Sequence, residues 1–260
     1  MQTSRLTRKE RHELILSEIR KSGAIRISKL AKRIGVVGET IRRDLIELGD
    51  AGLTNRSYGG ATISLVTTEP VITERGLTMV EERARIGRAA AELVENAQVV
   101  MIDGGSTTYE VARHLAQLRR DLVVITNSVG IAAVAGGNPT FRVILCPGTY
   151  DSREGSVLGE DTIEYVRRYN AEIAIIGASG ITTDGPCDMI SGAAAVKRAM
   201  ITRSLSTILA VTHDKFARAS LERICSFKDI SDVVTDAEPT LDFRGAIEGA
   251  GGELHVVGAA

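Results

Sequence analysis

Tryptophan is absent from this chain, and aromatic residues make up only 3 % of its 260 positions. Val, Ile, Leu and Ala must therefore fill the interior, and an apolar content of 43 % is enough for that. No apolar run approaches the roughly 18 residues a membrane span requires, so no membrane partner is expected. Residues 1–11 are polar and basic with no apolar stretch behind them, which argues against a secretory signal. Cysteine is scarce: Cys146, Cys187 and Cys225 are odd in number and irregularly spaced. That pattern excludes a disulfide framework and offers no metal motif, so reduced thiols in a cytoplasmic protein are expected, with no metal and no cofactor.

What is present divides unevenly along the chain. Residues 1–60 hold 13 Lys and Arg against 7 Asp and Glu, a net of +6; the remainder carries −7. A basic head on an acidic body fits a polyanion-binding module joined to something else.

Apolar spacing predicts three helices in the head, over about 9–21, 28–34 and 38–51. Ser28 is the expected N-cap of the second, and Gly23, Gly35 and Gly52 are the expected stops. In the third, Ile41, Leu45 and Leu48 fall at i, i+4 and i+7 and share one stripe. Two short strands, 53–56 and 61–64, follow around a Gly59-Gly60 turn. Residues 65–79, with Pro70, read as a linker. From 80 onward, β-branched strand candidates (99–103, 122–126, 141–146, 173–177, 207–211, 233–235) alternate with helices (82–95, 108–118, 129–135, 161–169, 194–204, 241–248). The prediction is an α/β domain over 80–260 with a mainly parallel sheet covered on both faces, behind a winged helix-turn-helix over 1–64.

In the third helix, burial of the Ile41 stripe turns Glu39, Arg42 and Arg43 outward. An Arg pair near a helix start suits the major groove, where Arg bonds guanine O6 and N7 together. Thr40 can reach a phosphate or a thymine methyl. Lys29, Lys32 and Arg33 on the preceding helix are placed for the DNA backbone, and Arg56 and Tyr58 for contacts from the wing. Charged outer faces are common; the combination with a helical pair, a glycine hairpin and a local +6 charge is what points to double-stranded DNA.

The strand candidate at 99–103 runs into Asp103-Gly104-Gly105-Ser106-Thr107-Thr108 and then a helix. A glycine-rich turn opening a helix presents free N–H groups and the positive end of the dipole, and three hydroxyls add donors. The Lys of an ATP-hydrolysing phosphate loop is missing. Asn127 and Ser128, Pro147-Gly148, Ser179-Gly180 and His213-Asp214-Lys215 follow other strands and belong to the same end of the sheet, where open α/β sheets bind ligands. Asn127, Ser128, Gly148, Gly180 and Lys215 therefore join the loop as candidate effector contacts, with Lys215 the candidate partner for a phosphate charge.

The stretch Glu39-Thr40-Ile41-Arg42-Arg43-Asp44-Leu45, then Gly52-Leu53, Arg56 and Gly59-Gly60-Ala61, resembles the N-terminal signature of the DeoR family of bacterial repressors. The resemblance covers nearly the whole chain. It implies a sensor domain similar in fold to ribose-5-phosphate isomerase that binds phosphorylated sugars. It also implies a phosphate loop at 104–107, a ligand lysine at Lys215 and hydroxyl contacts from Asp103. Val37-Gly38 stands where the family has a Ser and a polar residue, and Tyr58 where it has a His. Ala193 and Thr212 stand where it has Glu and Asp. A proton shuttle needs a carboxylate, so these last two positions give an isomerase reading no support. The function implied is a homodimeric or homotetrameric repressor of a catabolic operon, released by a sugar phosphate. The alternatives are an isomerase with a DNA-binding appendage, or a DNA-binding protein with a purely structural oligomerisation domain.

Overall fold

The computed structural model describes residues 6–22, 24–50, 54–57, 60–63, 65–66 and 69–258. They form two units, which divide after Val66; Ala217–Ala219 group with the first.

In the first unit, helices Arg8–Ser22, Ile27–Ile34 and Gly38–Asp50 precede an antiparallel pair, Thr54–Ser57 with Gly60–Ile63. Ile15 and Ile19 of the first helix, Leu30 and Ala31 of the second, and Ile41, Leu45 and Leu48 of the third form its core. The predicted stripe is thus the one that is buried. Two expectations change. Residues Ala24–Arg26 form a third strand, which pairs antiparallel with Gly60–Ile63. Because that strand runs straight into the second helix, the helix starts at Ile27 with Arg26 at its N-cap, and Ser28 lies inside the helix instead of capping it.

The second unit is built on a seven-stranded sheet. Its order is Glu253–Val256, Asp232–Thr235, Ser204–Ala210, Ala171–Ile176, Val99–Ile102, Val123–Thr126, Arg142–Leu145. Each neighbouring pair is parallel. Parallel strands buried on two faces need continuous apolar sequence, and Val100, Met101 and Ile102 are all fully buried. One face of the sheet packs on Ile86, Ala90, Val111, Ala112, Leu115 and Ile131, the other on Val166, Val196 and Met200. The edge strand Glu253–Val256 and the hairpins Thr149–Asp151/Ser156–Leu158 and Gly180–Thr182/Gly185–Asp188 are additions to the predicted set.

The strand order places the switch point of the sheet. Val99–Ile102 comes first in sequence, and the chain builds outward from it in one direction through 123–126 and 142–145. It then returns to build in the other direction from 171–176. The crevice between two strands whose connections leave in opposite directions opens at their carboxyl ends. Here those ends lead into Gly104-Gly105 and Gly177-Ala178.

The segment read as a linker needs correction. Residues 69–79 group with the second unit. They include the short helix Ile72–Arg75, and the Ile72 N–H donates to Arg153 O at 2.8 Å. Its mixed composition and Pro70 gave the linker reading, and its charged residues are Glu69, Glu74 and Arg75. Glu69 and Arg75 are in fact consumed in buried ion pairs.

Candidate functional site

The helix Gly38–Asp50 presents Glu39, Arg42 and Arg43 as exposed side chains, with Thr40 half-buried. Glu39 restrains both arginines: Arg42 Nη1 lies 2.7 Å and Arg43 Nε 4.0 Å from its carboxylate. Exposed pairs of this kind contribute little stability, about 0.5 kcal/mol or less, so a stronger anion can recruit the arginines cheaply. Lys29, Lys32 and Arg33 are exposed on the preceding helix, and Arg33 reaches Glu18 at 2.5 Å. Arg56 falls on the strand Thr54–Ser57, and Tyr58 lies outside the described residues.

Asp44, on the opposite side of the same helix, is buried. It accepts from Arg11 Nε at 2.5 Å and Nη2 at 2.8 Å, with His12 Nε2 3.2 Å away. Burial pushes the Asp44 carboxyl up, but the Arg11 guanidinium and His12 outweigh it and hold the group below its ordinary value. The helix is thereby clamped to the first helix by a charge-assisted fork.

In the second unit, Gly104, Gly105, Ser106, Thr107 and Thr108 line a crevice of about 40 Å³ together with Gly177, Ser179, Thr212 and Lys215. Helix Ser106–Leu118 starts here with Gly105 at its N-cap and no side-chain cap bond, so its first N–H groups remain directed at the crevice. Thr108 Oγ1 donates back to Gly105 O at 3.1 Å. Gly104 is required by close approach: a Cβ there would lie 1.9 Å from Ser156 Oγ. A second cavity of about 400 Å³ adjoins it, sharing Arg83, Gly105, Ser106 and Glu154, and is lined further by Ser128, Tyr109 and Tyr150.

Four expected contacts line neither cavity. Asn127 is buried and serves the loop from behind, its Oδ1 accepting from Gly104 N–H at 3.2 Å and its Nδ2 donating to Val157 O at 3.1 Å. Gly148 has φ +142°, and a Cβ would meet Thr162 Oγ1 at 2.2 Å, so backbone geometry accounts for the glycine. Gly180 is a buried residue of a hairpin strand. Asp103 is 1 % exposed and sits beneath the loop, 3.0 Å from Lys197 Nζ, which lies 2.7 Å from Asp188. Burial pushes the Asp103 carboxyl up to about 6 against the pull of Lys197. Ser128 lines the larger cavity and caps helix Val129–Gly136 by accepting from Ile131 N.

The residues not anticipated are ionic. Lys215 pairs with Glu69, Glu69 with Arg75 at 2.7 Å, and Arg75 with Glu154 at 2.5 Å. Arg83 donates to Arg75 O at 2.5 Å and to Thr78 O. Burial depresses its guanidinium below the ordinary arginine value. Arg75, Arg83 and Lys215 all line the crevice. A periodicity signal existed for two buried cations. Arg83 falls on the face of Ile86, Gly87 and Ala90, and Lys197 on that of Ala193, Val196 and Met200, where an amphipathic helix carries apolar residues. Arg75 and Glu69 had no such signal. Thr212, noted for its departure from the family Asp, donates to Asp214 at 2.5 Å, and Ala193 is buried.

Comparison with known proteins gives two family matches. The DeoR-like helix-turn-helix domain matches residues 11–65, and the DeoR C terminal sensor domain matches 78–237. The glycerol-3-phosphate regulon repressor of Escherichia coli (strain K12) is 32 % identical over 231 residues, covering 88 % of this chain and 91 % of that one. The HTH-type transcriptional repressor GlcR of Bacillus subtilis (strain 168) is 29 % identical over 248 residues, 95 % of each. Among solved structures, ribose 5-phosphate isomerase A from Methanocaldococcus jannaschii aligns with a TM-score of 0.39 at 16 % identity, over 52 % of this chain and 53 % of that one. The exposed Arg42–Arg43 helix, the buried stripe beneath it and the glycine loop at the sheet's switch point are thus carried by a chain that belongs to the DeoR family of transcriptional repressors.

Proposed function

We propose that the chain represses a catabolic operon by holding its operator through the helix Gly38–Asp50, and that a phosphorylated sugar or sugar-phosphate derivative entering the 104–108 crevice releases it. The observation that carries the sensing half is the convergence of Lys215, Arg75 and Arg83 on a glycine loop at a helix N-terminus. Fixed cations and unpaired N–H groups together favour a dianion. Thr107 and Ser106 offer hydroxyls beside them, and the adjoining cavity has room for a sugar body. On the DNA side, Arg42 and Arg43 read base edges, Thr40 and the exposed Lys29, Lys32 and Arg33 meet phosphates, and Arg56 and Tyr58 serve from the wing. A homodimer or homotetramer would present several such helices to repeated half-sites.

Release requires only that the ligand bind the DNA-free arrangement better than the DNA-bound one. A full switch from 1:99 to 99:1 takes about a 10⁴-fold difference. A thermal-shift screen of sugars against their phosphates tests the reading. Phosphorylated members should raise the melting temperature, and their unphosphorylated parents should not. Equal shifts from both, or none, would remove the anion site. Ala193 and Thr212 supply no carboxylate, so these two positions give no support to turnover of pentose phosphates.

A further inference from the structure

We infer that Glu69 is a built-in competitor for the effector's anion: its carboxylate holds the crevice cations until a phosphate exchanges for it. This rests on the anion-site reading above and adds what the phosphate must displace.

Glu69 is 6 % exposed at its side chain and binds three groups at once: Lys215, Arg75 Nη1 at 2.7 Å, and Ser179 Oγ at 3.3 Å. All three partners line the crevice beside Gly104–Thr108. An anion of the chain's own therefore sits among the donors that would serve a ligand's anion. Both terminal nitrogens of Arg75 are engaged, Nη1 by Glu69 and Nη2 by Glu154 at 2.5 Å, while its buried Nε has no partner. A phosphate can take the Lys215 and Arg75 Nη1 contacts that Glu69 holds only by exchange with it. The exchange favours a dianion, because one negative charge leaves while two arrive beside the same cations. A sulfate monoester, with a single charge, gains much less.

The position of Glu69 along the chain gives the exchange a consequence. It lies three residues past the division after Val66, at the start of the segment that leaves the DNA-reading unit. That segment is tied to the sensor by Glu69, by Arg75 and by the Ile72 N–H bond to Arg153 O. Displacing Glu69 removes one of these ties and loosens a second, because Arg75 loses a partner. Ligand occupancy is thereby converted into looser tethering of residues 69–79.

The test is calorimetric titration of inorganic phosphate into the full-length chain and into Glu69→Gln, which keeps the size and removes the charge. The variant should bind phosphate about tenfold more tightly, since the bound-competent arrangement no longer has to displace a carboxylate. Unchanged or weaker binding by a folded E69Q overturns the inference. Hydrogen exchange of the wild-type chain decides independently of the variant's folding. Saturating phosphate should speed exchange of the amides in 69–79, and slower or unaltered exchange there overturns it. Lys215→Ala separates the two levels. If it abolishes phosphate binding while E69Q fails to tighten it, the anion site stands and the competitor falls. If neither wild type nor E69Q binds phosphate, the site reading falls and this inference with it.

Discussion

The two units use charge in opposite ways. In the DNA-reading unit the arginines assigned to the operator are outside, with the Arg43 side chain 77 % exposed. The buried charge there, Asp44, only holds the helix. In the second unit the charges at and beneath the crevice are inside: Lys197 is 4 % and Asp103 1 % exposed, and Lys215 and Glu69 are 15 % and 6 % exposed. A surface that must meet a long polyanion keeps its cations solvated and cheap to redirect. A pocket that must hold one small anion keeps them fixed and desolvated, where each contact is stronger and each loss costs more.

Substitutions should break this contrast in order of burial. Lys197→Met keeps the volume but leaves Asp103 and Asp188 buried without their cation, and should cost about 3–5 kcal/mol in urea unfolding of the sensor unit. A loss below about 1 kcal/mol would mean water reaches the pair. Asp44→Asn should cost about 2 kcal/mol in the first unit, because two charge-assisted bonds from Arg11 are weakened.

That contribution has a defined pH window. The Asp44 carboxyl is held below its ordinary 3.8 in the fold, so its stabilisation is complete above that value and is lost as pH falls through the lower folded one. Acid unfolding of the wild-type chain should therefore be steeper below pH 4 than that of Asp44→Asn, and equal slopes would contradict the clamp. Arg43→Ala should be the mildest for folding, within about 0.5 kcal/mol. It should still cost about 1–3 kcal/mol of operator affinity, read by gel shift at fixed salt.

The contrast also explains what the sequence disclosed. The recognition helix was legible because its stripe is local: Ile41, Leu45 and Leu48 sit within eight residues, and the exposed arginines follow from their spacing. The parallel sheet was legible from runs such as Val99–Ile102. The glycine loop was legible from composition. The three-residue strand Ala24–Arg26 escaped because its partner, Gly60–Ile63, is more than thirty positions away and the strand is too short for a period. The ionic lining of the crevice escaped for the same reason at greater range. Glu69 meets Lys215 across 146 positions and Arg75 meets Glu154 across 79. Arg83 and Lys197 did leave a trace, a cation on an apolar stripe. Asp103 and Gly148 were placed by their neighbours in sequence, whereas three dimensions put the first under the loop and the second against Thr162.

In the proposed switch, exposed arginines hold the operator and buried cations release it. A gel-shift titration of the operator complex with a panel of sugar phosphates, run on wild type and on Lys215→Ala, tests that directly. The account predicts that at least one phosphate dissociates the wild-type complex. Lys215→Ala should bind the operator with the same affinity and stay bound at every concentration of that phosphate. If Lys215→Ala released the operator as readily as wild type, the crevice would not be the switch.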